Sequence, residues 1–364
     1  MPFPAEMKIA LTHDYLNQFG GAERVLELFA EMYPDAPIYT LFYDKEPLAG
    51  RFENRIAKTS FLDHSFIRKN HRAFIPFMPI AAHSVNLGSK YDVVISNSVG
   101  FGKAMRHSKA KHIFYCNALL RYAWDPETHL KEFLPEPFYT LSRPIAWIMK
   151  LWDRWTGRKS DIIVANSEYT RDRIKKFYNR DSEVIYPPVD TKFFHPTPNI
   201  DKKYYLAVGR LIPYKKFDII VEAFNKLDIP VKIVGDGREY EKLKSLASSS
   251  NIEFTGFIHD PEKLRDLYVG AKAFLFPQIE DFGLVAAEAL ACGTPVLGYA
   301  EAGAKEMVIP GKNGLLFNEQ SAEELIRSVT DFEKMSLDPE SVAETAQKFS
   351  RAEFERRFRI LVGE

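Results

Sequence analysis

The sequence predicts an α/β protein of two Rossmann-like, doubly wound domains that face each other across a cleft. Three observations predict it. Short apolar runs alternate with helix-period segments from one end of the 364 residues to the other, the pattern of parallel sheets covered by helices. The alternation is interrupted at a proline-rich stretch, Pro187 to Pro198, the best linker candidate, and then restarts. A composition of 46% hydrophobic and 27% charged residues supplies apolar side chains for two cores rather than one.

Lys8–His13 reads as the first strand, followed by a loop through Gly20-Gly21 and a helix over Ala22–Met32. Ile38–Tyr43, Asp92–Ser96, His112–Cys116 and Asp161–Ala165 are further apolar runs of strand length. The last passes through Asn166-Ser167 into a helix over Tyr169–Tyr178, and Val184–Tyr186 leads into the prolines. The restart is cleaner. Tyr204–Val208, Val231–Val234, Ile252–Thr255, Ala273–Phe276 and Pro295–Tyr299 read as strands. Helices over Phe217–Leu227, Glu239–Ser248, Pro261–Val269, Leu284–Ala291 and Ala322–Glu333 lie between or after them, and Arg351–Val362 is a final amphipathic helix. The expected domains are therefore residues 1–197 and 198–348, with 349–364 a helix that closes the second domain or crosses back to the first. Ligands of such sheets bind at the carboxyl ends of the strands.

Lys+Arg and Asp+Glu are both 49, a balance that excludes a dedicated nucleic-acid binder. Two cysteines, Cys116 and Cys292, support neither a disulfide framework nor a metal site. The opening, residues 1–7, is short and broken by proline, so no secretory leader is expected, and no apolar run reaches the ~18 residues that span a bilayer. The expected location is cytoplasmic. The zero net charge is divided, however. Up to Pro196 there are 27 basic and 22 acidic residues; from Thr197 onward there are 22 and 27. Residues 51–111 alone carry 11 basic and 3 acidic side chains. This excess reads equally as a solvated face or as contact with an anionic partner. The same two readings hold for the apolar, aromatic stretch Phe138–Trp155 with Lys150, Arg154 and Arg158: a core helix with a wet edge, or a face for an anionic membrane surface.

The most informative segment runs from Ile279 to Val296. A strand ends, Gly283 opens a turn, and an alanine-rich helix follows, closed by Gly293 with Pro295 beyond it. N–H groups near Gly283 and Leu284 should point, with the helix dipole, at an incoming anion. Glu280 on the loop and Glu288 about one turn inside the helix would accept from hydroxyl groups. A second loop, Gly209 to Lys216, also follows a strand and precedes a helix. Arg210 offers a planar fork for phosphate oxygens and Lys215 a mobile point charge. In the first half, His13-Asp14-Tyr15 ends a strand and Gly20-Gly21-Ala22-Glu23 opens a helix, which lets backbone approach a ligand. No G-x-G-x-x-G fingerprint is present, since Tyr240 occupies the third position of the candidate beginning at Gly235; this counts against a dehydrogenase. There is no D-x-D carboxylate pair, P-loop, H-E-x-x-H or G-x-S-x-G.

On these residues the chain resembles the retaining glycosyltransferases of family 4, which have the two-domain GT-B fold and use nucleotide-sugar donors. The family's E-x7-E element matches Glu280 to Glu288, its G-R-L-x-P-x-K element matches Arg210 and Lys215, and Pro310 to Phe317 matches its turn before the last helices. The resemblance implies that Arg210 and Lys215 hold the donor diphosphate, that Glu288 accepts from ribose, and that Glu280 accepts from the transferred sugar. It implies that Phe282, Gly283 and Leu284, with Asp281 and Val285 in the same loop, line the donor. Gly20 and Gly21 would approach the diphosphate, and Phe257-Ile258 would wall the base. Tyr115 to Asp125 is similar to Y-C-H-x-P-x-R-Y-x-W-D, a run of a subgroup of mannosyltransferases in surface-polysaccharide assembly, with Asn117 for the His and Leu119 for the Pro. That places Asn117, Arg121, Tyr122 and Asp125, with Asp14, on the sugar and acceptor side.

The expectation is thus a metal-independent, retaining hexosyltransferase with no cofactor. Its donor would be a nucleotide-diphosphate sugar, GDP-mannose first, and its acceptor a saccharide or a lipid-linked saccharide. The alternatives are a non-catalytic nucleotide- or sugar-binding module and a nucleotide-sugar epimerase on the same fold.

Overall fold

The computed structural model describes residues 7–131 and 134–364; residues 1–6, which carry most of the leader expectation, lie outside them. The chain divides into two compact units, Met1–Ile185 with Arg359–Glu364, and Tyr186–Phe358.

Among the described residues, the main sheet of the first unit holds seven parallel strands: β1 (Ile9–His13), β2 (Ile38–Tyr39), β3 (Ile56–Lys58), β4 (Val93–Ser98), β5 (Lys111–Cys116), β6 (Ile162–Ala165) and β7 (Glu183–Val184). Their order is β3-β2-β1-β4-β5-β6-β7. The sheet reverses direction of growth between β1 and β4, which pair from Ile9 with Val93 to His13 with Asn97. Helices α1 (Gly21–Met32), α2 (Met78–Ser84), α3 (Phe138–Gly157) and α4 (Glu168–Tyr178) surround it. β3 and α2 were not anticipated, because three residues of strand and seven of helix carry too little periodicity to stand out.

The second unit repeats the plan with six parallel strands: β8 (Tyr204–Val208), β9 (Val231–Val234), β10 (Ile252–Gly256), β11 (Ala271–Phe276), β12 (Val296–Tyr299) and β13 (Gly314–Phe317), ordered β10-β9-β8-β11-β12-β13. Its central strands are buried on both faces. Leu206, Phe274 and Phe276 enter one core, while Tyr205, Ala207 and Leu275 enter the other. Alternate residues of a strand point to opposite faces, so a sheet covered on both sides reads as a continuous apolar run, which made these strands legible. Helices α5 (Phe217–Phe224), α6 (Leu284–Ala291) and α7 (Arg351–Val362) follow.

Two readings change. The prolines from Pro187 to Pro198 do not make a free linker: Val189 and Phe194 are buried in the second unit's core, Phe193 packs against it, and Val189 bridges to Ser350. The division therefore falls at Ile185/Tyr186 rather than after residue 197, since apolar anchors outweigh the extended bias of proline. The final helix is divided at Phe358/Arg359 between the two units. Phe358 is buried in the chain, while the residues from Arg359 group with the first unit, where Lys111 Nζ donates to the Leu361 carbonyl at 2.7 Å.

Two histidines of the first unit are held well below their ordinary pKa. Burial, with the nearby His107 and Lys103, lowers the His112 pKa to about 3; burial and Arg121 lower that of His129 to about 4. Both titrate near 6.5 when unfolded. Between these values the unfolded chain binds more protons at these two sites. Their contribution to stability therefore falls as pH drops below about 6.5, by up to about 1.4 kcal/mol per pH unit per group, while His13, with its pKa raised, acts in the opposite direction. Denaturant titrations at pH 7 and pH 5 should show this loss, and it should shrink in His112→Gln, whose amide keeps a hydrogen-bonding partner for Ser96 Oγ.

Candidate functional site

In both sheets the expected ligand-binding residues cluster where the order reverses. Arg210 follows β8 and the Glu280–Gly283 loop follows β11, its neighbour across the switch. The Arg210 loop is held by close backbone packing. Leu211 N–H donates to Asp236 O at 2.9 Å, and a Cβ on Gly235 (φ +138°) would lie 1.9 Å from Gly209 O. The Gly235–Gly237 glycines, the element that failed as a dinucleotide fingerprint, therefore let β9's turn meet this loop. Arg210 is exposed; Lys215 ends a short 3-10 turn, Pro213–Lys215.

Lys215 Nζ forms an ion pair with Glu280 Oε1, which also accepts from Gln278 Nε2 at 3.2 Å. The structure thus joins the two motifs, which lie 65 residues apart, into one cluster of charge. Glu280's main chain is fixed too, its carbonyl accepting from Gly303 N–H at 2.9 Å. Asp281 and Phe282 are buried, and Leu284 and Val285 are half-buried. Gly283 caps α6 at φ +101°, with its would-be Cβ 2.5 Å from the Phe276 ring, so both conformation and space require glycine. The N–H groups of Leu284 and Val285 at the start of α6 make no backbone hydrogen bond within the helix and carry the positive end of its dipole. Glu288 is only 2% exposed and accepts from Tyr268 Oη at 3.2 Å, so its carboxylate is internal to the unit rather than on a solvated helix face. Phe257, just beyond β10, is 64% exposed beside half-buried Ile258.

In the first unit Gly20 caps α1 and Gly21 begins it; Glu23 reaches back to accept from Gly20 N–H at 2.8 Å. Glu23 also faces His13 Nε2 at 3.5 Å, while His13 Nδ1 donates to Asn97 O at 2.7 Å. Burial opposes charge on His13, but Glu23 and Asp14 outweigh it and raise its pKa. Three asparagines cross the carboxyl ends of neighbouring strands. Asn166 Nδ2 donates to Asn117 O at 2.7 Å, Asn117 Nδ2 to Asn97 Oδ1 at 2.6 Å, and Asn97 Nδ2 to Ala22 O at 2.7 Å. With its amide nitrogen engaged, Asn117 turns an acceptor, Oδ1, to other groups. Arg121 and Tyr122 begin the short helix Arg121–Trp124 and are half-buried, and Asp125 pairs with Arg173.

Asp14 has a different part. At 2% exposure its carboxylate accepts from Ser98 Oγ and from the N–H groups of Val99, Phe101 and Gly102 at 2.6–2.7 Å. It shapes the loop after β4. Asp14→Ala leaves those buried donors unpaired and should cost about 2–4 kcal/mol, read as a lower denaturation midpoint at unchanged m. Sequence reasoning missed Gln278, Tyr268, Asn97 and Asn166, none of which belongs to a spacing pattern. Among the described residues no three His, Cys, Asp or Glu side chains form a metal-ligand cluster.

Comparisons with known proteins bear on the family and the fold. Residues 19–193 match the family model described as Glycosyltransferase Family 4, and residues 189–349 match that of Glycosyl transferases group 1. An uncharacterized glycosyltransferase of Methanocaldococcus jannaschii is 26% identical over 201 residues, 54% of this chain and 57% of that protein. A GDP-mannose-dependent alpha-(1-6)-phosphatidylinositol monomannoside mannosyltransferase of Mycolicibacterium smegmatis is 24% identical, across 89% of this chain and 88% of its own. Among solved structures, Anabaena HepE in complex with UDP-glucose superposes with a TM-score of 0.71 at 18% identity, over 98% of this chain and 99% of that one.

Proposed function

Because the chain belongs to glycosyltransferase family 4 and has the GT-B fold, we propose that it moves a hexose from a nucleotide-diphosphate sugar to a saccharide or lipid-linked saccharide acceptor. One observation carries the proposal: Arg210, Lys215, Glu280 and the α6 N-terminus gather at the switch point of one sheet. That set suits a diphosphate beside a polyhydroxylated ring. The fork of Arg210 takes phosphate oxygens, and Lys215, held by Glu280 without ligand, adds a second positive charge. Loops at the carboxyl ends of the first sheet supply the acceptor-side groups, among them Asn117 and Arg121.

The donor favoured is GDP-mannose. The Tyr115–Asp125 run and the relative that uses GDP-mannose support that choice. In the proposed step the bond from the anomeric carbon to the diphosphate oxygen breaks, and the acceptor oxygen bonds to that carbon from the same face. Its proton passes to the departing phosphate oxygen, so no protein base is required and the configuration is retained. Catalysis is then positioning plus charge stabilisation of the leaving diphosphate, with the cations and helix N-terminus in place of a metal. The protein would work in the cytoplasm, at the face of a membrane that presents the acceptor.

Thermal-shift measurements against GDP-, UDP-, dTDP- and ADP-sugars test the reading. A matched donor at 100 times its Kd should stabilise the protein by about 2.7 kcal/mol, and by more than its competitors do. If none of the four raises the melting temperature, the donor proposal fails.

A further inference from the structure

Helix α3 is amphipathic in an uneconomical way. One face, with Tyr139, Ala146, Met149, Asp153 and Thr156, is buried. The other leaves Leu141, Ile145, Trp147, Ile148, Leu151 and Trp155 between 43% and 69% exposed. Leu141, Ile145, Ile148 and Trp155 recur at spacings that line one side of a helix. The charge on α3 is one-sided as well. Its single acidic residue, Asp153, is buried, whereas Arg143 and Arg154 are exposed and Lys150 half-buried, with exposed Arg158 and Lys159 just after the helix.

The apolar face continues beyond α3. His83 of α2 stacks on Trp155, with ring centroids 5.8 Å apart and planes within 12°. One turn before His83, Ile80 is 63% exposed, and Phe77 precedes it at 53%. Phe77 meets Phe74, and Phe74 meets the 68%-exposed Phe66 of the short helix Ser65–Lys69. Residues 65–84 contain Arg68, Lys69 and Arg72 and no acid. Chains rarely leave so large an apolar area to water without a partner.

We propose that the first unit docks on an anionic lipid bilayer through the exposed face of α3 and the adjoining Phe66–His83 surface. Charge complementarity selects this occupant: an apolar face rimmed by Arg143, Arg154, Arg158 and Lys159, with exposed Glu136 only at the start of α3, fits an acyl layer beneath anionic headgroups. No described helix is long and apolar enough to cross a membrane, so α3 lies in the interface, with Lys and Arg stems along the apolar surface and their charges at headgroup level. The surface deepens the proposed use of a lipid-linked acceptor and rests on that reading for its purpose, but not for its physical argument.

Co-sedimentation of the full chain with phosphatidylcholine vesicles, with and without phosphatidylglycerol, tests it. The wild type should bind the anionic vesicles at low salt, shift its tryptophan emission to the blue, and release at high salt. Trp147→Glu/Ile148→Glu should lower partitioning at least about tenfold, and Arg154→Glu/Arg158→Glu at least about fivefold per cation removed. Thermal shift with the donor nucleotide, expected to be unchanged in both variants, verifies folding. It also separates this proposal from the donor reading, since either can fail alone. The docking surface is refuted by no binding to anionic vesicles at low salt or by undiminished binding of the apolar variant. It is equally refuted by a wild-type dimer that this variant dissociates with no change in vesicle binding.

Discussion

Arg210→Ala should lower kcat/KM for transfer about 10³-fold while leaving the melting temperature within a degree or so of the wild type. The reasoning joins exposure to chemistry. Arg210 is exposed on a loop whose shape comes from backbone contacts with Asp236, Gly235 and Gly237, so truncating its side chain removes no core packing. In the proposed reaction negative charge develops on the departing diphosphate, and a preorganised guanidinium there contributes about 4 kcal/mol to the transition state. Arg210→Lys should recover part of the loss, because it restores the charge but not the bidentate fork. Lys215→Ala should fall between these variants and also free Glu280 from its ion pair. Steady-state kinetics with nucleotide release as the signal, beside thermal melts, checks all three. Transfer near wild-type rates by Arg210→Ala removes the diphosphate role.

Lys103→Met should destabilise the first unit by about 3–5 kcal/mol, the largest stability effect expected of a single substitution here. Both side chains of the Lys103–Asp153 pair are fully buried, with Nζ and Oδ1 2.5 Å apart. Lys103 also donates to Gly100 O at 2.6 Å, while Asp153 Oδ2 accepts from Trp124 Nε1 and Tyr178 Oη at 2.7 and 2.6 Å. One carboxylate therefore links α3, α4, the Arg121–Trp124 helix and the loop after β4. Removing the cation strands that charge in a low-dielectric interior. Adding Asp153→Asn neutralises the stranded charge and keeps a carbonyl oxygen for Trp124 or Tyr178. The double variant should therefore be more stable than Lys103→Met alone, a coupling that a denaturant double-mutant cycle measures. Additive losses would contradict it.

The second unit was the more legible because its strands are covered on both faces and its helices have sharp ends. Tyr204–Val208, Val231–Val234, Pro261–Val269 and Leu284–Ala291 stand where spacing put them. Motifs located Arg210, Lys215 and Glu280, but only the fold brings Lys215 onto Glu280. The first unit was harder to read. Helical periodicity shows that α3 has two faces, yet not which one the fold covers. The buried face carries Asp153 and Thr156, while Trp147 and Ile148 stay outside, because a buried cation, Lys103, supplies the missing partner. The same limit hid the asparagine row, whose members lie at residues 97, 117 and 166 and meet only because β4, β5 and β6 are adjacent. Asp14 was placed by its position at a strand end, where the structure shows a carboxylate fully engaged by the neighbouring loop.

Hexosyl transfer is proposed to rest on Arg210, Lys215 and Glu280. Its most direct measurement is release of nucleoside diphosphate from each candidate donor, in the presence of a chelator, with and without a lipid-linked saccharide acceptor. The account requires release that depends on the acceptor, survives chelation, retains the anomeric configuration in the product and disappears in Arg210→Ala. Binding of a nucleotide sugar with no release of nucleoside diphosphate under any of these conditions would contradict it.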